Sequence, residues 1–230
     1  MDINNDFTEG IVINEFKHGE SSKILSILTK KYGKISVMGK GAYAQGSSLI
    51  SLTQLFTEGL YLFKKGQTFY YIKSGRLLSS NYNIRQSFKN LVYASLILEI
   101  VDKSTLEHYN LEKIYGLLSK ALNVFNKSQD PGGKALAFII KYMTFMGYMP
   151  RLVVYGSSYF SPQIGVTDKN LGEGNKLLSQ DIYYLKNLLY TSLDKDINYD
   201  DKRKKYLLLL FIKYIRYNLE ISDFNSLNFL

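Results

Sequence analysis

The chain has no cysteine, no tryptophan, three prolines and two histidines among 230 residues. Without cysteine there is no disulfide framework, no thiolate nucleophile and no cysteine-ligated zinc site. His18 and His108 stand far apart with no second ligand at metal spacing, so each reads as a surface histidine in a loop, and no metal is expected. Long apolar runs are also missing. The longest, Tyr206–Ile212, stops at Lys213, far short of the ~18 residues that suggest a membrane span. The start, Met1-Asp-Ile-Asn-Asn-Asp6, is acidic and polar, unlike a secretory signal. These absences lead to the expectation of a soluble cytoplasmic protein with no membrane association and no cofactor.

What is present is enough apolar material for a packed core, and an excess of positive charge. Hydrophobic residues make up 46% and charged residues 21%, which excludes wholesale disorder and leaves room for one large domain or two small ones. Twenty-nine Lys and Arg face 20 Asp and Glu, a formal net charge of +9. Such a balance favours polyanions such as nucleic acid. The excess is spread along the chain: residues 1–80 hold ten basic against six acidic side chains. The 20 tyrosines fit either a compositional drift toward Lys, Asn, Ile and Tyr or a stacking surface.

Hydrophobic periodicity changes near Ser80. Before it, Gly10–Ile13 is a short β-rich run, and Lys34–Met38 places Ile35 and Val37 on one face. Leu60–Phe63 and Thr68–Ile72 flank Lys64-Lys-Gly-Gln67, a hairpin signal with Gly66 free to take positive φ. Ser22–Thr29 fits a helix or a strand, and the turn-like Thr29–Lys34 after it favours a strand. About five strands suffice for a small barrel. After Ser80 the period is helical. Ser87–Asp102 is apolar nearly all round; Leu111, Ile114, Tyr115, Leu118, Leu122 and Phe125 form a stripe. Asp130-Pro131 starts a helix that Gly147 and Pro150 close, and two more run near Gln180–Leu193 and Asp200–Glu220. Arg151–Asn175 reads as an irregular excursion. The expected fold class is α+β, with a β-domain over 1–80 and a helical bundle over 81–230 that carries an irregular, metal-free insertion at 151–175.

Catalytic constellations fail one by one. Gly33–Gly41 imitates a phosphate loop, but five residues separate Gly33 from Gly39, and Gly41 stands where a Mg²⁺-binding hydroxyl belongs. It also lies in a strand, not ahead of a helix N-terminus. Asp194–Asp200 begins like a calcium loop, then lacks the central glycine and puts Lys205 at the bidentate Glu position. No serine has a nucleophile-elbow context, and the reading is that of a non-enzyme. Left over are cations among aromatic rings: Lys23, Lys30, Lys31, Lys34, Lys40, Lys64, Lys65, Lys73 and Arg76, near Tyr32, Tyr43, Phe63, Phe69 and Tyr70. Small barrels bind single strands with such sets. Lysines on a wet face over rings packed inside would look the same.

Several blocks resemble the bacterial DNA repair protein RecO family: Glu9–Val12, Gly19–Thr29, Tyr32–Ser36 and Gly39–Ala42, then Leu91–Asp102, Phe145–Pro150 and Ser226–Leu230, all in order. The resemblance implies an OB-fold barrel followed by a helical domain. It implies a non-enzymatic recombination mediator that binds single- and double-stranded DNA and anneals strands. It also implies engagement of RecR and of the C-terminal tail of single-stranded-DNA-binding protein, to help load recombinase in the nucleoid. On this resemblance Lys23, Lys30, Lys31, Lys34, Lys40, Lys64, Lys65 and Arg76 become the candidate DNA contacts. Two departures stand out. The four-cysteine zinc finger of many members is absent, so any finger here is held by packing. The run Tyr43–Ser48 after the Gly-Lys-Gly-Ala block carries no basic residue.

The last helix opens with Lys202-Arg-Lys-Lys205, unfavourable at the positive end of a helix dipole except beside Asp200 and Asp201. A solvated basic end explains this. So does a slot for an acidic partner tail, with Lys202, Arg203 and Lys205 on its carboxylates and Tyr206 supporting its apolar end.

Overall fold

The computed structural model describes residues 6–230, so the reading of Met1–Asp6 as a polar, non-signal start lies outside them except for Asp6. The chain forms two compact units. One takes the chain through Ser87 together with Leu98–Asn126; the other comprises Phe88–Ile97 and Lys127–Leu230.

In the first unit, strands β1 (Thr8–His18), β2 (Ser22–Thr29), β3 (Gly33–Gly39), β4 (Glu58–Lys65) and β5 (Tyr70–Ser79) close a barrel in the order β1-β2-β3-β5-β4. All neighbours are antiparallel except β3 and β5. This is the OB fold. Alternation builds it: Leu25 and Ile27 of β2, Ile35 and Val37 of β3, and Tyr61 and Phe63 of β4 all point into one buried core. Ser22–Thr29 is therefore a strand. β1 runs five residues past the expected Ile13, across a register shift between Val12 and Asn14 and into the more polar stretch 14–18, which lies beyond the β-rich run that marked it. Gly66 does not adopt the left-handed φ expected of it; its backbone instead passes so close that a Cβ would sit 2.6 Å from the Phe69 carbonyl oxygen.

The parallel seam is short. Only Val37 and Met38 of β3 pair with Tyr70 and Tyr71 of β5. The rest of that β3 edge is covered from far along the chain. Glu107 bridges Lys34 in parallel, and the His108 N–H donates to the Lys34 carbonyl at 3.1 Å. The Ser36 hydroxyl donates to the Glu107 carboxylate. Gly33 permits the approach. Its φ is +68°, and a Cβ there would collide with the Tyr109 carbonyl.

The helices are α1 (Asn83–Gln86), α2 (Phe88–Ser104), α3 (Glu112–Phe125), α4 (Pro131–Phe145), α5 (Ser179–Tyr190) and α6 (Asp201–Leu219). In the first unit α3 packs its predicted stripe against β1 and β2, with Ile114, Tyr115, Leu118, Leu122 and Phe125 buried. The Tyr115 hydroxyl donates to Glu58 at 2.5 Å, and burial followed by this carboxylate pushes the phenol far up. In the second unit α4 packs on α5 and α6. Asp130 caps α4 by accepting from the Gly133 N–H at 3.1 Å, with Pro131 in the first turn, and Asp200 caps α6 through the Arg203 N–H at 2.9 Å.

The segment 151–175 is irregular only in part. It carries β6 (Ser158–Ser161) and β7 (Gly165–Thr167), which join β8 (Lys176–Leu177) in an antiparallel sheet of order β7-β6-β8. Strands of four, three and two residues are too short to show a period. Packing holds the sheet: Phe160 is fully buried, its ring 5.0 Å from Phe211 and 5.9 Å from Tyr214 of α6. Among the described residues no group of three His, Asp or Glu could hold a metal ion, and no helix is long and apolar enough to cross a membrane.

Candidate nucleic-acid interface

The barrel cations fall into two groups. Lys30, Lys40, Lys64, Lys65, Lys73 and Arg76 are exposed, on turns, at the end of β4 or on the outside of β5. Lys30 lies 3.4 Å from Glu9, and Lys40 stands 4.9 Å from the centre of the Tyr71 ring. Lys31 pairs with Asp6, which raises its pKa, and lies over the Tyr32 ring. Such exposed pairs are weak and screened by salt.

Lys23 and Lys34 belong elsewhere. Lys23 is 5% exposed, its ammonium donating to Glu15 at 2.7 Å and to the Thr53 carbonyl at 3.2 Å. Lys34 donates to the Asp102 carbonyl at 2.5 Å, with the Asp102 carboxylate 3.5 Å away. Both are occupied within the fold and are poorly placed for phosphate. The candidate rings divide likewise. Phe63 is stacked on Tyr61 in the core at 5.5 Å and is shut off from any base, while Tyr43 is about half exposed.

One end of the barrel gathers part of the first group. Lys31 and Tyr32 after β2, Lys65 and Tyr70 around the β4–β5 turn, and His108 with Tyr109 line an open groove of about 440 Å³. Lys30 and Lys64 are the chain neighbours of Lys31 and Lys65; Lys40 and Arg76 do not line the groove. Sequence reasoning missed His108 and Tyr109, whose place depends on the pairing with β3 described above.

In the second unit the basic start of α6 has four different surroundings. Lys202 is exposed. Arg203 makes a two-point pair with the fully buried Asp181 and lies 4.4 Å from the centre of the Tyr206 ring. Lys204 is buried between Asp130 at 2.8 Å and Asp201 at 2.9 Å. Lys205 donates to the Leu230 carbonyl, and the Tyr206 hydroxyl to the Lys176 carbonyl at 2.8 Å. Of the four predicted tail-binding residues, Lys205 alone lines a groove of about 420 Å³, with Phe88, Val92, Leu208 and Phe229 as apolar wall and Lys89 as a second exposed cation.

A closed OB barrel with cations and tyrosines at one end defines an oligonucleotide-binding-fold protein with a separate helical unit. The chain belongs to the recombination protein O family: the model of that family's N-terminal part matches residues 5–81 and that of its C-terminal part residues 85–228. It is 34% identical over 142 residues to the DNA repair protein RecO of Bacillus cytotoxicus, covering 62% of this chain and 57% of that one. It is 32% identical over 144 residues to that of Halalkalibacterium halodurans, covering 63% and 57%. Against that of Thermoanaerobacter sp. it is 32% identical over 166 residues, covering 69% and 67%. The match thus spans a little over half the length of the first two relatives.

Proposed function

We propose that this protein is a non-enzymatic mediator of recombinational DNA repair. Its barrel binds single- and double-stranded DNA and promotes annealing, and its helical unit receives the acidic tail of single-stranded-DNA-binding protein. With RecR it helps load recombinase, acting in the cytoplasm on the nucleoid. The observation that carries the DNA reading is the pair Lys31 and Lys65 lining an aromatic-walled groove on an OB barrel, with Lys30 and Lys64 as their exposed chain neighbours. Ammonium groups that follow phosphates release counterions, so affinity for single strands falls with salt at a slope of roughly −0.7 per neutralised phosphate. Replacing Lys30, Lys31 and Lys65 with Ala is expected to flatten the slope by about 2 in an anisotropy titration across a salt series. An unchanged slope moves the site off this groove. Absence of binding by the unaltered protein at low salt leaves the rival reading, a protein-bridging scaffold with an OB-like barrel.

For the tail, an apolar slot with cations at its rim suits a peptide that ends in an apolar residue and a carboxylate. The groove with Lys89 and Lys205, and with Lys202 close by in sequence, has that chemistry. Arg203 and Tyr206 are left out of this revised set, because each already has partners within the unit. Reversing Lys89 and Lys205 to Glu is expected to abolish binding of a tail peptide while oligonucleotide affinity holds. Equal loss of both activities would mean one shared basic surface.

A further inference from the structure

The groove at the end of the barrel draws its wall from two distant parts of the sequence. Lys31, Tyr32, Lys65 and Tyr70 come from the strands, whereas His108 and Tyr109 come from the connection between α2 and α3. That connection is fixed in place. The His108 N–H donates to Lys34, Glu107 bridges β3, and Gly33 leaves room for the Tyr109 backbone. The His108 ring meets Tyr70 edge-on, with centroids 5.9 Å apart. The Tyr109 ring is 62% exposed despite this fixed backbone. Tyr32 is 7% exposed and belongs to the barrel core, with the Lys31 ammonium over its ring.

We propose that this groove is a slot for one unpaired base of single-stranded DNA, with Tyr109 as its stacking platform and Lys31 and Lys65 holding the flanking phosphates. The assignment rests on reading the barrel as a DNA-binding surface, and adds to it a platform residue from outside the barrel strands. The exposed Tyr109 ring beside the His108 imidazole suits a flat ring, and the two lysines that line the groove suit the anionic links on either side of it. Asp6 at present holds Lys31, and Glu107 lies 3.8 Å from the His108 imidazole. The Asp6 pair is exposed, so a phosphate oxygen can take the place of its carboxylate. A duplex does not fit the slot, because its base faces are already stacked on one another.

The test uses the full chain and a short single strand with one 2-aminopurine, read by anisotropy and by the quenching of that base. Tyr109→Ala is expected to weaken single-strand binding roughly five- to a hundredfold, the range for one lost stacked base, and to relieve the quenching. The salt slope should stay as it was, because no phosphate contact is lost. Tyr109→Phe should bind as the unaltered protein does, and affinity for a duplex of the same length should not change. A matched melting curve checks that the fold is intact. If Tyr109→Ala binds and quenches like the unaltered protein, the slot is refuted and the barrel reading stands. Equal loss on duplex refutes it too, because the contact is then to the backbone. If the unaltered protein binds no single strand at low salt, both readings fail.

Discussion

Replacing Gly33 with alanine is expected to destabilise the protein by about 2–4 kcal/mol. Two costs add. Gly33 has φ +68°, where an L side chain carries a penalty of about 1–2 kcal/mol. Its new methyl would also collide with the Tyr109 carbonyl and force the 107–109 stretch off the edge of β3, with the His108–Lys34 hydrogen bond. Gly19 separates the two terms. It has φ +62° and nothing within 4 Å of a Cβ, so Gly19→Ala carries the first cost alone. Chemical denaturation of the two variants should therefore differ by the collision. If Gly33→Ala proves no worse than Gly19→Ala, the connection is not pinned where the structure puts it.

The second large effect lies at Arg203. Asp181 is 0% exposed and caps its own helix by accepting from the Leu178 N–H at 2.7 Å. It also accepts from the Tyr199 hydroxyl at 2.6 Å and from the Arg203 guanidinium. The Tyr199 phenol is pushed up to about 12, by burial first and then by this carboxylate, and Asp181 raises the pKa of Arg203. Removing the guanidinium leaves a buried carboxylate with no cation, which costs about 3–5 kcal/mol. Arg203→Met should fall at the lower end of that range, because Leu178 and Tyr199 still donate. Adding Asp181→Asn should recover most of the loss in urea unfolding. A loss below ~1 kcal/mol would reduce the pair to an ordinary surface contact. Charge reversal at residue 203 therefore reports on folding and is unsuited to a test of tail binding.

Inward-facing alternation was the part of the fold easiest to read in advance. Ile35 and Val37, or Tyr61 and Phe63, mark a strand wherever one face is buried and the pairing is regular. Where pairing slips, as after Val12, or where a strand has two to four residues, as in β6–β8, the period is lost while the structure is not. Charge was harder to place. Lys23 and Lys34 look like Lys30 and Lys31 in a sequence, and what separates them is the position of Glu15 and Asp102. Asp102 lies 68 residues from Lys34. The four cations at the start of α6 read as one basic end. A helix turns about 100° per residue, so consecutive side chains leave on different sides and meet different partners. His108 and Tyr109 carried no local signal, since their place follows from a bridge to β3 over seventy residues away.

The short parallel seam also bears on how the chain is made. When the first eighty residues have left the ribosome, β3 has β2 on one flank and two residues of β5 on the other. Gly33–Ser36 then presents bare amides and carbonyls until residues 107 and 108 emerge to cover them. An open strand edge templates pairing with other chains, so the nascent barrel is sticky for the time needed to translate α2. An excised fragment ending near Ser80 would keep that edge for good. The hairpins can form early, but the protection of the barrel against association is a late step, completed by the connection that follows α2.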